Sequence, residues 1–467
     1  MVQLPDDVIG DAQTSRFAWN RLEELVDVGN RMAGQTGEEA GAEIIREAFE
    51  DAGLSEVKID EFEIPGWWRG SSSLTVESPS ERVHDGSHQV IALPGTPAGE
   101  ATGRVVDVGT GTYDEFEEKD DELEGAIAMA SSDTPESADR WLHRMEKYVN
   151  AADHGAAAFV FRNHIEGALP PTGEVGYHNR PGPIPAVGVS KEVGARLARY
   201  AENGDAEATV TVDCRNETAT SRNIEGVVGP SEPEDRNGGG ETAEADAEEE
   251  VLVTAHVDGH DIADGANDNG AGSVLTAEVG RLLTNVADEL DSRVRFVTFG
   301  SEEIGLRGAY YCAETTDLSQ VKCVINLDGA CSSRNLRVGT NEFEALEELF
   351  ESVADEFDAP LSTGDTISPH GDQWAFVQEG VPATMTGTTS EQSGRGWGHT
   401  HADTLDKLDS RDLRDVATLV TEAVYRAAQD EFDVEHRSRE ETRDAIDEGY
   451  VQELKMGGRW PYDDLEE

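Results

Sequence analysis

Five short stretches carry side chains able to hold a metal ion or move a proton, and three of them follow directly on an apolar run. His256-Val257-Asp258 comes after Val251-Leu252-Val253-Thr254-Ala255, Gly300-Ser301-Glu302-Glu303 after the run 294–299, and Asp328 after Val324-Ile325-Asn326-Leu327. Between the first two lies Gly265-Ala266-Asn267-Asp268-Asn269-Gly270-Ala271-Gly272, one aspartate among small residues. Late in the chain stands His399-Thr400-His401-Ala402-Asp403-Thr404. Imidazole and carboxylate without thiolate suit zinc or a similar divalent ion in an open catalytic site, not a structural all-cysteine site. Two histidines and at least three carboxylates exceed the needs of one ion. A pair roughly 3.5–4 Å apart, bridged by a carboxylate and a water, accounts for them better.

Taken singly, these signals are weak. With 12 histidines in a chain holding 97 acidic residues, chance puts an acid two places after about two or three of them. His370-Gly371-Asp372 and His401-Ala402-Asp403 match as well. A Glu-Glu pair is more often part of a solvated face. The constellation differs because charged groups end three successive apolar strands, where burial is costly unless they are paired or bound to metal.

The elements that must position these groups are legible from periodicity. From residue 251 onward, strands over 251–255, 294–299 and 321–327 alternate with helices, one of which carries Val274, Leu275, Val279, Leu282 and Leu283 on a helical period. Near-continuous apolar strands in this order predict an α/β, three-layer domain with a mostly parallel central sheet. Ligands in such sheets bind beyond the carboxyl ends of the strands. Upstream, Thr36 and Glu39 have capping-box spacing, Ile44, Ile45, Ala48 and Phe49 share a face, and Gly53 supplies a stop. A strand over 57–64 follows. Residues 68–220 change texture, with short strands at 105–108, 126–129, 158–161 and 186–189, proline- and glycine-rich turns over 167–185, and one helix expected over 137–153. The division expected is an N-terminal part of the main domain (1–75), a β-rich insert (76–220) and the catalytic part (221–467). The last is interrupted by an acidic, solvated loop over 231–250.

Composition narrows the partners. Aspartate and glutamate number 97 against 37 lysines and arginines, a formal charge of −60. Such a surface repels phosphate backbones and anionic headgroups, so neither nucleic acid nor membrane is expected to bind. No apolar run reaches membrane-spanning length. The start lacks a basic segment followed by an apolar one, and Cys214, Cys312, Cys323 and Cys331 form no CxxC pair. A cytoplasmic protein with reduced cysteines is the expectation. The acid excess itself suits a halophile, in which hydrated carboxylates keep a folded protein soluble in concentrated salt.

The series His256-x-Asp258, Gly-Ala-Asn-Asp268-Asn-Gly-Ala-Gly, Glu302-Glu303-x-Gly305-Leu306-x-Gly308, Asn326-Leu327-Asp328 and His399-Thr400-x-x-Asp403-Thr404 resembles the di-zinc aminopeptidase family. That family also holds glutamate carboxypeptidases, glutaminyl cyclases and the catalytically dead transferrin receptor. Gly29-Asn30-Arg31-Met32-Ala33-Gly34 resembles its opening. Gly125-Ala126-Ile127-Ala128, Gly155-Ala156-Ala157 and Ile184-Pro185-Ala186-Val187-Gly188 resemble a protease-associated domain. The resemblance implies two Zn2+ ions, with Co2+ or Mn2+ as substitutes. Asp268 would bridge them, His256 and Asp328 would complete one site, and Glu303 and His399 the other. Glu302 would act as general base on the water between the ions, and Asp258 would orient His256. The family pattern starts at His399, which leaves His401 a loop histidine.

Two departures bear on substrate preference. Gly398 follows Trp397 where many active relatives have a tyrosine that stabilises the oxyanion, and Gln373 replaces a histidine in Gly371-Asp372-Gln373-Trp374-Ala375-Phe376. The implied activity is an aminopeptidase on peptide substrates, with a homodimer among the assemblies open to it. A carboxypeptidase or dipeptidase on the same scaffold would need a cationic clamp, for which Arg162, Arg180 and Arg395 are available. The loop Gly176-Tyr177-His178-Asn179-Arg180 reads equally as a wall of the pocket or a turn before Pro181. A metal-free receptor-like scaffold is the remaining alternative, and the absence of Gly-x-Ser-x-Gly argues against a serine hydrolase. The charge excess predicts that the chemical unfolding midpoint rises steeply between dilute buffer and molar salt. Equal midpoints in the two would remove the halophilic reading.

Overall fold

The structure is a computed structural model that describes residues 3–177, 181–229, 249–390 and 397–465. His178, Asn179, Arg180, Arg395 and nearly all of the expected acidic loop 231–250 lie outside the described residues. The strands are β1 (Ser55–Ser78), β2 (Arg82–His84), β3 (Val90–Ala92), β4 (Gly99–Asp107), β5 (Ile127–Ser131), β6 (Ala158–Arg162), β7 (Ala186–Val189), β8 (Glu207–Val228), β9 (Glu250–His256), β10 (Arg293–Phe299), β11 (Val321–Leu327), β12 (Leu336–Gly339), β13 (Leu361–Gly364) and β14 (Ala383–Thr388).

One half of the chain builds the order β13-β12-β14-β11-β9-β10-β8. Within it β9 is parallel to β10 and β11, and β11 to β14, while β8 runs antiparallel to β10, and β12 runs antiparallel to β14 but parallel to β13. β9 and β11 are buried along their length apart from Glu250, as sheet strands covered on both faces must be. The helices Phe17–Val26, Thr36–Asp51, Ala271–Leu283 and Ser410–Ala427 cover one face, and the helix Arg307–Thr315 packs on the other. Ala271–Leu283 is buried on almost every side. It approaches β11 so closely that a Cβ on Gly272 would lie 2.6 Å from the Leu327 carbonyl oxygen and 2.2 Å from Asn269 Oδ1. Only glycine fits there.

The other lobe is a second sheet, with β4 to β7 parallel and β3 antiparallel on its edge. β1 and β8 join the lobes as one long antiparallel ribbon, paired from Ser55 with Val227 to Ser78 with Glu207, across a bulge at Arg69–Ser72. The strand expected over 57–64 therefore continues to Ser78. Its alternation fades in the glycine- and serine-rich part, where pairing with β8 and not its own pattern maintains the strand.

Two other expectations change. The helix expected over 137–153 begins at Arg144, because the His143 ring accepts the Met145 N–H as N-cap and Thr134 Oγ1 accepts the Leu142 N–H, holding 137–143 outside the helix. Thr36 is a helical residue and no capping box forms. Gln35 is the N-cap position, with its amide turned to donate to the Trp67 carbonyl, and Glu38 turns inward to accept the Gly34 N–H. The cysteines are all free, as expected.

Candidate metal centre

The three strands that end in charged residues are neighbours in the order β11-β9-β10. His256 is the last residue of β9, Asp328 follows β11, and Glu302 and Glu303 sit in the turn after β10. β9 is followed in sequence by β10 on one side and, later, by β11 on the other. That divergence opens a crevice at the carboxyl ends of the strands.

The loop carrying Asp268 is tied down by groups from across the chain. The buried Arg31 guanidinium donates to the carbonyls of Val257 (3.0 Å), Asp264 (2.6 Å) and Gly265 (2.9 Å). Asp403 accepts the N–H groups of Asn267 (2.9 Å) and Asp268 (3.1 Å). Asn269 donates to the Leu327 carbonyl at 2.7 Å, and Asn267 accepts the Cys331 N–H at 3.1 Å, fastening the loop to the end of β11. Each polar residue of the Gly-Ala-Asn-Asp-Asn-Gly stretch thus has a separate task. Asp258 does the same for the Glu-Glu turn, accepting the N–H groups of Glu302 (3.0 Å) and Glu303 (3.2 Å), while its Oδ1 lies 3.5 Å from His256 Nδ1.

These supports bring the expected ligands together. Asp268 Oδ1 lies 3.5 Å from His256 Nε2, and Asp268 Oδ2 lies 3.2 Å from His399 Nε2. His256 Nε2 is 3.8 Å from Asp328 Oδ1, and His399 Nε2 is 3.3 Å from Glu303 Oε2. Glu302, His256 and Asp328 offer donor atoms within 4.8 Å of one another. Ligands on one tetrahedral zinc stand about 3.3 Å apart, given bonds of about 2.0–2.1 Å. His256 Nε2 and both oxygens of Glu303 are buried without a hydrogen bond. Buried polar atoms without partners, of a donor chemistry that suits zinc, fit a metal site.

Electrostatics point the same way. Asp258, Asp268, Glu302, Glu303, Asp328 and Asp372 crowd one region, and the ion pairs of Asp258, Asp268, Glu303 and Asp328 are all with histidines. Burial, then Asp268 and Glu302, push the Glu303 carboxyl far up. Burial is also the first cause of the raised Glu302, followed among its acidic neighbours by Asp372. Burial and then Asp258 and Asp328 raise Asp372 to about 8, against the pull of His256. Asp268 goes the other way: burial disfavours its charge, but His256 and His399 hold it well below the carboxylate range. A metal-free cluster of this kind must retain protons, and divalent cations would replace them.

Other assignments resolve on the same geometry. The His401 ring faces the carbonyls of Ile262 (2.8 Å) and Ser87 (2.9 Å), away from the cluster, and joins the two lobes. Arg162 lies 3.3 Å from Asp107 within the second lobe and is no clamp. Gln373 donates to the His370 carbonyl (2.7 Å). Sequence reading missed His260, which stands beside Glu303 and His399, and the buried Asp372. The His-x-x-x-His spacing from His256 to His260 was the available signal for the first. For the second it was the His-x-Asp triplet at His370, set aside as chance.

The second lobe reaches the centre directly. Thr172 donates its N–H to the His399 carbonyl (2.9 Å), and its own carbonyl lies 3.3 Å from His399 Nδ1. His399 has a left-handed backbone, φ 56°, which costs on the order of 1 kcal/mol outside glycine. The Thr172 contacts offset that cost and aim the ring.

The sequence profile of Peptidase family M28 matches residues 239–424, and that of the PA domain matches 101–197. The catalytic half of the chain is thus similar to peptidase family M28, and its insert to the PA domain. The family M28 segment contains every residue of the cluster, and the PA domain segment contains Thr172. Aminopeptidase YwaD of Bacillus subtilis is 27% identical over 431 residues, 89% of this chain and 86% of that protein. Carboxypeptidase Q of Bos taurus is 25% identical over 427 residues, 88% and 85%. The solved structure of BSAP, a zinc aminopeptidase from Bacillus subtilis, superposes with a TM-score of 0.68 at 27% identity, covering 90% of this chain and 97% of that one. The fold of this chain, a three-layer α/β domain with an inserted PA lobe, is that of the zinc aminopeptidase it superposes on.

Glu38 gives the site a measurable pH dependence. It is buried behind the Glu-Glu turn, accepting the Gly34 N–H (2.7 Å) and the Ser221 hydroxyl (2.5 Å), with its carboxyl raised to about 8 by burial and then by Asp258. A raised carboxyl contributes stability at low pH and loses it as pH climbs from the unfolded value near 4.5 through about 8. Glu38→Gln is therefore expected to gain on the wild type in metal-free melting temperature as pH rises from 5 to 9, by differential scanning fluorimetry. Parallel curves would refute it.

Proposed function

We propose that this protein is an M28-type exopeptidase that removes amino-terminal residues from peptides using two zinc ions. The observation that carries the reading is Asp268, whose two carboxylate oxygens face different histidines, as an aspartate shared between two ions must. His256 and Asp328 would hold one ion with it, Glu303 and His399 the other. Co2+ or Mn2+ suits the same donors. When bound, the ions supply Lewis acidity that lowers the pKa of water and stabilises charge on the peptide carbonyl oxygen.

Glu302 is the proton carrier. Its backbone is held by the Asp258 bond to its N–H, its carboxyl stands with His256 and Asp328, and burial and its acidic neighbours favour the protonated state. A carboxylate so poised takes a proton from the attacking water and returns it to the departing amine. Asp258 positions both His256 and the Glu302 turn. The surplus of carboxylates, Asp372 among them, complements the free ammonium of an amino-terminal substrate. Full-length similarity to Aminopeptidase YwaD supports this choice.

A carboxypeptidase or dipeptidase is favoured by a different observation. Arg144, buried at the start of the helix Arg144–Asp153, lines a cleft of about 240 Å³ that also contains His399. Its Nε donates to the Glu174 carbonyl (2.9 Å), which aims the guanidinium. A substrate carboxylate would be recognised there. Full-length similarity to Carboxypeptidase Q supports this reading.

Glu302→Gln is expected to keep its metal and lose about 10²–10⁴ in kcat; unchanged turnover would take Glu302 out of its role. An aminoacyl p-nitroanilide and an amino-terminally blocked dipeptide separate the two specificities. Cleavage of the anilide alone supports the aminopeptidase. Cleavage of the blocked dipeptide, with KM raised about tenfold or more by Arg144→Met, supports the alternative.

A further inference from the structure

We propose that His260 is a fourth protein ligand of the Glu303–His399 ion, so that this ion is the more tightly held of the two. The inference rests on the two-ion reading above and adds a residue that its five expected ligands leave out. His260 Nε2 lies 2.8 Å from Glu303 Oε2, and His399 Nε2 lies 3.3 Å from that same oxygen. The three residues offer donor atoms that all fall within 4.8 Å of one another. The two rings meet edge to face, with centroids 4.5 Å apart.

The contact between His260 and Glu303 is close, yet both Glu303 oxygens lack a hydrogen bond, and so does the buried His260 Nδ1. Donor atoms that approach without hydrogen-bond geometry are arranged as ligands turned toward a common point. His260 Nε2 is also 3.3 Å from His399 Nδ1, but the Thr172 carbonyl stands at the same distance from that nitrogen and belongs to a backbone pair with His399. His399 can be oriented by Thr172, which leaves His260 for the ion.

The loop holding His260 is fixed on both flanks. Asp261 takes a two-pronged ion pair from Arg69, with contacts of 2.6 to 3.0 Å, and Arg69 also donates to Thr172 Oγ1 at 3.2 Å. On the other flank Arg31 holds the carbonyls of Val257, Asp264 and Gly265. The backbone on either side of His260 is thus anchored.

The consequence is an asymmetric pair. Asp268, Glu303, His399 and His260 would supply four donors to one ion, as in structural zinc sites, whereas Asp268, His256 and Asp328 would supply three to the other, as in catalytic ones. Zinc-loaded full-length protein dialysed against graded chelator is expected to release its ions in two steps, measured by metal analysis. X-ray absorption of the fully loaded wild type is expected to count three imidazoles per ion pair. In His260→Ala the tighter step should weaken by about tenfold or more, and the Co2+-substituted absorption spectrum should change. Should His260→Ala fail to fold by circular dichroism, the imidazole count in the wild type decides. Two ions with only two imidazoles, or a folded His260→Ala with unchanged affinities and spectrum, overturns the proposal and leaves the two-ion reading standing. A wild type that takes up no metal overturns both.

Discussion

The structure turns on an imbalance of charge at the end of three buried strands. Six carboxylates gather where β9, β10 and β11 stop, and the ion pairs of four of them, Asp258, Asp268, Glu303 and Asp328, are with imidazoles. Carboxylates in so small a volume cannot all ionise without cations among them. Arg31, the buried guanidinium nearest the cluster, is spent on backbone carbonyls and holds the loop in place. The centre is therefore a cage with its anions preassembled, a donor set that suits divalent cations.

Assembling that cage requires the whole chain. Arg31 and Glu38 come from the N-terminal segment, Asp403 from the far end, and Thr172 from the PA lobe. The long ribbon of β1 and β8 makes the last of these contacts possible, because it runs from the catalytic sheet into the insert without a break. Arg69, beside the bulge in that ribbon, holds Asp261 and Thr172 together. The insert is in this sense part of the metal centre, shaping the backbone of His399 and contributing Arg144 to the cleft beside it.

Much of this was legible in the amino-acid order. The apolar runs that became β9, β10 and β11 could be read to within a residue at each end, because strands buried on both faces leave a continuous signal. The residues at their ends could be read because such groups have no other reason to follow buried strands. Local capping was less legible. The spacing of Thr36 and Glu39 promised a box that does not form, since Glu38 has a better partner in Gly34 and Gln35 in Trp67. Arg162 looked available as a clamp only because its partner Asp107 is 55 residues away in sequence, two strands over in the sheet.

The sequence by itself determined the donor chemistry and the alternation of strand and helix, which follow from residue type and local period acting over a few positions. Its resemblance to a known family named Asp268 and the four side chains gathered around it. Only the tertiary structure decided that His260 faces Glu303 while His401 faces two carbonyls, and that Arg144 and Thr172 of the insert stand at His399. Those outcomes depend on how separate segments pack against one another. Loops after a strand have no period to read, and several of the contacts that orient them come from residues more than a hundred positions away.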